Sequence, residues 1–572
     1  MHFDDILPIL GEFGRYQKFQ LFLICLTSIP ISYFLQANTF MSASSDHYCK
    51  VYDNQTFHDT SPLKNCTIPY DADGETWDSC SRYDVNVSMG ISPELCSQDS
   101  GTQDCDNGWV YDRSVYENTV VHEFNLVCNN DWMKQFSKSV VPFGNLFGGI
   151  IFGQLSDIFG RKPLFVITLI SAAVFGVLAA FSPTYAAFVV CQFVLGVVSI
   201  STGLIGFVIV VELVGPSYRL TCSILTSFFL PIGEFLLAFS AIVFNGHWRK
   251  IQLFGGVISI IFIPYYWWLM QRGNYGKAEK ILRRAAQMNK VTLPNDIFDE
   301  EKEMLVSQDK IEKEIEDQNK TMLDLFKTPT LRKRTIYMCF NWFAVSLVYY
   351  GLALNTDQLG TNPYTTYVIS GVVELPSYLL CWYLLDKIGR RWTMCSCMVF
   401  GGIALILSAI PDNNVISSAF AMVGKFFISG AFLIVYIFAV EIYPTPVRNA
   451  GLGLSSTCAR IGSIISPYVI LLTRIWHPTP FLIMAITSII AGLLALLLPE
   501  TRNKDLPETL EEGELFGMKR YKNCTDENEE EDTESFEMQS QCDVGENRLD
   551  EDTDKQRNEY REGLINDSFM DN

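Results

Sequence analysis

Along the chain, apolar runs of similar length alternate with short polar hinges, and three long polar segments interrupt the series. Runs with few or no charges fall near 19–41, 138–156, 163–182, 185–210, 220–244 and 250–270, and again near 336–354, 364–385, 392–411, 415–440, 450–473 and 480–499. About 20 apolar residues rising 1.5 Å each cover roughly 30 Å of hydrocarbon. The pattern therefore predicts an all-α membrane protein with twelve transmembrane helices in two sets of six. Strand-like alternation is too weak for a membrane barrel.

The long polar segments are 42–135, 271–335 and 500–572, so the expected domains are a short N-terminus (1–18), a first bundle (19–270) and a second bundle (336–499) around them. Orientation follows from short-loop Lys and Arg, which stay on the cytoplasmic side. Arg15 and Lys18, Arg161 and Lys162, Arg219, Arg272 through Arg284, Arg332 to Arg334, Arg390 and Arg391, and Arg448 share one side if both termini are cytoplasmic. The first run follows FGRYQKFQ without a small-residue cleavage site, so it is expected to remain as a span.

Segment 42–135 then falls outside a plasma membrane, and its chemistry agrees. Cys49, Cys66, Cys80, Cys96, Cys105 and Cys128 form an even set suited to disulfides, with the pairing left open by the sequence. Asn54, Asn65 and Asn86 stand in glycosylation sequons. Within 271–335, GNYGKAEKILRRAAQMNK has the pattern of an interfacial helix, while the acidic tail, with NEEEDTESFE, lacks apolar periodicity and is expected to be disordered.

Composition narrows the function. With 49% hydrophobic residues, 40 Phe and positive mean hydropathy, the chain of 572 residues is too apolar for a set of soluble domains. The net charge of -20 is concentrated in 42–135, 295–317 and the tail, and the basic residues sit in short groups at run ends, which is no nucleic-acid footprint. The sequence has no phosphate-binding GxxxxGK[ST] loop, no HExxH and no metal-spaced Cys/His cluster in a cytoplasmic segment, so neither an enzyme nor a nucleotide-driven pump is expected. No cofactor or metal is called for. Energy would come from the membrane potential or an ion gradient, with sodium and proton both open as coupling ions, and the oligomeric state is not legible.

Charges reveal an internal repeat. GQLSDIFGRKP at 153–163 places Asp157 four before Arg161, as LLDKIGRRW at 384–392 places Asp386 four before Arg390. VELVGPSYR places Glu212 seven before Arg219, as VEIYPTPVR places Glu441 seven before Arg448. Each second copy follows the first by 229 positions (386 − 157 and 441 − 212), so the halves are parallel six-helix repeats, an architecture that puts a transport site near the midplane between them. Charges at membrane depth are costly and normally paired, so these eight are expected to form gating networks at the cytoplasmic helix ends.

These motifs resemble the loop motifs of the major facilitator superfamily, and the chain as a whole resembles its organic cation/carnitine transporter family. FDDILPILGEFGRYQKFQ opens the chain as that family opens, NLVCNNDW closes the extracellular segment, and VELPSYL, EIYPTPVRNAGLG and LPETRNKDLPETLEE follow in the family's order, from about residue 3 to 512. The resemblance implies the major facilitator fold, a glycosylated, disulfide-bonded ectodomain, and alternating-access movement of a small organic ion across the lipid bilayer.

It also implies site residues: Trp342 and Tyr349 in the seventh helix, Glu374 in the eighth, Lys425 in the tenth and Arg460 in the eleventh. Members that carry simple cations have Asp where Arg460 stands, whereas carnitine-type and organic-anion members have Arg. Two cations repel a bare quaternary ammonium but hold a carboxylate, which Arg460 can grip bidentately. Trp342 and Tyr349 would face an ammonium through cation–π contact, with Glu374 as the opposing charge. A zwitterion such as carnitine fits this arrangement best. An organic anion is the alternative, and an internal Glu374–Lys425 pair is the bland reading of those two charges. Two departures from the family stand out: the segment after the sixth helix, IPYYWWLMQRGNYGKAEK, lacks the usual Glu and Arg, and Ile158 stands where Arg is common. A receptor built on a transporter scaffold and a channel are the rival classes; the retained charges at membrane depth and the duplicated networks favour a two-state carrier.

Overall fold

The computed structural model describes residues 13–517 except 52–54, 59–63, 65–66, 71–76, 85–100, 215–217, 272–287, 290–321, 355–361, 412, 503, 505 and 508. Met1–Glu514 forms one unit, and Leu515–Asn572, a second unit, is described only at 515–517. Sequons Asn54, Asn65 and Asn86, together with Cys66 and Cys96, lie outside the described residues, as do most of the expected interfacial helix and the tail beyond 517.

Twelve spans form among the described residues. The first six are Arg15–Gln36, Asp131–Phe159, Arg161–Ala180, Tyr185–Leu213, the pair Arg219–Ser227 with Leu230–Val243, and Trp248–Gln271. The second six are Pro329–Ala353, Pro363–Lys387, Arg390–Ser408, Asn414–Ile442, Arg448–Leu471 and Thr479–Ala495. The fifth span breaks because Pro231, in the first turn of its second segment, supplies no amide for the turn before it. Gly160 and Gly389 separate the second and third, and the eighth and ninth, spans at φ of 84° and 95°. Both take the left-handed backbone that glycine tolerates, at equivalent places in the two repeats.

Two spans begin seven residues before the apolar pattern does. The second starts at Asp131 rather than 138, because Asp131 and Lys134 form an i,i+3 ion pair at 3.0 Å and the fully buried Lys138 donates from Nζ to the Leu354 carbonyl at 2.9 Å. The seventh starts at Pro329, within the expected loop 271–335; Glu514 accepts from the Thr330 and Leu331 amides at 2.8 and 3.0 Å and caps the helix. Expected disorder from 500 onward is likewise corrected, since Glu500 and Thr501 dock on the second half and Leu510–Leu515 is helical.

The segment between the first two spans is a small disulfide-bonded domain, and the face that carries it is called upper below. Strand His47–Cys49 pairs antiparallel with Trp109–Tyr111, and Ser81–Tyr83 with Thr102–Asp104. Cys49 bonds Cys105 and Cys80 bonds Cys128, the two pairings among the described cysteines that the sequence left open. Helix Val120–Phe124 ties the domain to the bundle: Glu123 pairs with Arg249 and accepts from Trp248 Nε1 at 2.8 Å.

His122 closes that helix's capping box. Its Nδ1 accepts from the Thr119 amide at 3.4 Å, so its proton sits on Nε2, 2.7 Å from the Ser45 hydroxyl. Protonation would turn the accepting nitrogen into a donor facing a donor. Burial, reinforced by the positive charge of Arg113, pushes the His122 pKa down from 6.5 to about 4. The unfolded chain binds that proton first, so stability is complete above the unfolded value and falls as pH drops from 6.5 to about 4. The loss is on the order of 3 kcal/mol. Protection of the amides across 119–124, with exchange rates corrected for their intrinsic pH dependence, should therefore fall as the pH drops from 6.5 towards 4, and His122→Phe should remove that fall; an unchanged acid response in the variant would contradict the assignment.

Candidate functional site

Lys425 lies eleven residues into its span (425 − 414), about 16 Å below the helix start, so it sits near the middle of the hydrocarbon. Its Nζ stands 2.9 Å from Glu374 Oε1 of the eighth span, and both side chains are 0% exposed. Glu374 also accepts from Tyr349 at 2.8 Å and from Tyr378 at 3.0 Å. These contacts engage both carboxylate oxygens, which helps a buried ion pair to be tolerated. Lys425 Nζ lies over the Tyr349 ring, 3.2 Å from its centroid. In this conformation, therefore, the cation facing Tyr349 is the protein's own lysine.

Trp342, Tyr349, Glu374 and Lys425 converge on one aromatic-walled region. Trp342 meets Tyr436 edge to face with centroids 4.3 Å apart, Phe432 lies 5.7 Å from Tyr436 and 4.9 Å from Tyr349, and Tyr350 lies 5.3 Å from Tyr349. The buried Trp342 Nε1 has no hydrogen-bond partner among the described residues.

Arg460 approaches the same region from the eleventh span, where its charge acts on Tyr350. It is 5% exposed and, among the described residues, its guanidinium forms neither an ion pair nor a hydrogen bond. Lys425 is answered by Glu374 and Arg390 by Glu441; Arg460 has no such answer.

Sequence reasoning passed over Glu234, in LPIGEFLLAF of the fifth span. It is 2% exposed, accepts from Gln36 Nε2 of the first span, and lies 3.4 Å from the hydroxyl of Tyr349 of the seventh, whose proton is shared with the nearer Glu374. The signal was available, because a lone acid within a span is a functional candidate by the cost argument that singled out Glu374.

Hydrogen bonds between the halves close the upper side. Besides Lys138 to Leu354, the Ser139 hydroxyl donates to the Ile464 carbonyl at 2.9 Å, Thr39 to Ala353 at 3.4 Å, and Tyr364 to Val115 at 2.9 Å. Deeper, Tyr367 donates to Gln36 Oε1 at 3.0 Å.

At the lower face of the second half the charges link the two motifs. Arg390 pairs with Glu441 of the other motif, at 2.9 Å through Nη2 and 3.2 Å through Nε, while Asp386 is exposed and Arg448 Nε donates to the Tyr443 carbonyl at 3.2 Å. The reason is packing: Asp386 lies in the eighth span and Arg390 opens the ninth across the Gly389 turn, and the ninth span starts beside the end of the tenth. Glu500, which spacing did not reveal, accepts from the Arg390 and Arg391 amides at 2.8 and 3.1 Å and neutralises the start of the ninth span. A Cβ at Gly389 would stand 2.7 Å from that carboxyl group, a second reason for glycine there. In the first half Arg161 opens the third span and Ile158 is exposed; the side chains of Asp157, Glu212 and Arg219 lie outside the described set.

Comparison with known proteins agrees with this architecture. Residues 107–512 match the family described as sugar (and other) transporter. The organic cation transporter protein of Drosophila melanogaster is 39% identical over 532 residues, 91% of this chain and 96% of that protein. Organic cation/carnitine transporter 2 of Homo sapiens is 33% identical over 540 residues, 91% of this chain and 95% of that one. Among solved structures, the partially occluded, inward-open xylose transporter XylE from E. coli superposes with a TM-score of 0.55 at 13% identity, covering 86% of this chain and 100% of its own. A twelve-span, two-bundle membrane fold and relatives that extend over nearly its whole length assign it together: the chain belongs to the organic cation/carnitine transporter family of the major facilitator superfamily, a family of membrane transporters and not of enzymes.

Proposed function

We propose that the protein carries a small zwitterion, an ammonium joined to a carboxylate as in carnitine, across the plasma membrane by alternating access, with both termini cytoplasmic. One observation carries the reading: Arg460 is a nearly buried cation near the midplane that no anion answers among the described residues. A buried charge without a partner is costly, so its retention points to an anionic group that arrives with the ligand. Because Lys425 is neutralised by Glu374, one cation rather than two is left for a substrate, which favours a zwitterion over an organic anion. Trp342, Tyr436 and Phe432 offer ring faces to the ammonium end. The proposed gating role of Arg390, Glu441 and Glu500 is to hold the lower end of the second half together, as one rigid body, while the halves rock.

Ligand-induced stabilisation of purified protein tests the substrate class. Carnitine should raise the unfolding temperature, while tetraethylammonium, which lacks the carboxylate, and acetate, which lacks the ammonium, should each raise it far less. Equal stabilisation by tetraethylammonium would contradict the zwitterion reading.

A further inference from the structure

Glu234 is the one carboxyl group of the central cluster that the scheme above leaves idle. It belongs to the first half yet bonds Tyr349 of the second, so rocking of the halves must make and break that bond. Its partners, Gln36 and Tyr349, are neutral donors, and it forms no ion pair among the described residues. The titratable groups facing it are Tyr349 and Tyr350 of the seventh span, Tyr367, Glu374 and Tyr378 of the eighth, and Lys425 of the tenth. Of these, Glu374 and Lys425 already answer each other. Tyr350 lies near both Glu234 and Arg460, but no ion pair joins those two. An unanswered acid and an unanswered cation thus flank one aromatic wall. A bare carboxylate at this depth with only neutral donors is costly, and a bound proton removes the cost.

We infer that Glu234 is a proton-exchange site that couples transport to the proton gradient: its carboxyl group is protonated when the site is empty and loses that proton to water as the ammonium end of the substrate takes its place. The inference rests on the transport reading above. When substrate leaves toward the lower face, the Glu234 carboxylate takes a proton from the water that enters, forming an O–H bond. When substrate arrives from the upper face, that bond breaks, the proton passes to the water there, and an ammonium–carboxylate ion pair replaces it while Arg460 takes the substrate carboxylate. One proton leaves for each ammonium that enters.

Proteoliposomes of the full chain, with the membrane potential clamped and a pH-sensitive dye inside, provide the test. Labelled carnitine suits it, since its quaternary ammonium does not titrate. Wild-type vesicles with an acidic lumen should accumulate it, the ratio rising roughly tenfold per unit of pH difference, while the lumen becomes more alkaline as substrate enters. Glu234→Gln should lose the pH-driven accumulation, and Glu234→Asp should retain it. Carnitine flux in the wild type with no lumenal pH change would overturn the inference and leave the transport reading standing, and this measurement does not depend on a variant folding. Full pH-driven accumulation by Glu234→Gln would also overturn it. No carnitine flux in the wild type under either condition would overturn the transport reading and the inference together.

Discussion

Replacing Arg460 with alanine abolishes uptake of carboxylate-bearing substrates, with the protein still reaching the cell surface, if the guanidinium is the carboxylate's partner. The fold should survive because Arg460 holds no other side chain in place among the described residues, so its removal orphans no buried acid. Loss of a charge-assisted, bidentate contact that no neighbour replaces costs about 3 kcal/mol, a factor of 100 or more in affinity. Arg460→Lys keeps the charge but not the fork and should recover only part of that loss. Uptake by transfected cells, normalised to surface-labelled protein, checks both; wild-type uptake by Arg460→Ala would remove this residue from the site.

Lys425→Ala should act in the opposite way, on folding first. It leaves Glu374 fully buried, with two tyrosine hydroxyls but no cation, and breaking a buried pair on one side costs about 3–5 kcal/mol. The expected result is a large drop in thermal stability and in mature protein at the surface. Combining Lys425→Met with Glu374→Gln removes both charges and should restore abundance, since a neutral pair of similar volume is often no less stable. Single and double variants with equal unfolding temperatures would show that the pair does not bear on the fold.

Much of this architecture was legible in the sequence because the bilayer constrains it so strongly. Run length fixed the number of spans, and the 229-position offset found the repeat, whose glycines Gly160 and Gly389 share an unusual backbone. Helix ends were less legible, since Asp131, Lys134 and Lys138 are ionic residues whose burial becomes tolerable only through partners that hydropathy does not see. Partners were not legible: each spacing only sets two charges on either side of one hinge, whereas Arg390 meets Glu441 and Glu500 through the packing of segments distant in sequence. At the site, the residues implied by resemblance converge, but the cation over Tyr349 is Lys425, and among the described residues the acid without an ionic partner is Glu234 rather than Glu374.

Movement of a zwitterion is tested by saturable uptake of labelled carnitine against labelled tetraethylammonium in expressing and non-expressing cells. Carnitine uptake should be saturable, stand well above that of tetraethylammonium, and be lost in Arg460→Ala. Absence of uptake of either compound by a protein present at the surface would contradict a zwitterion carrier.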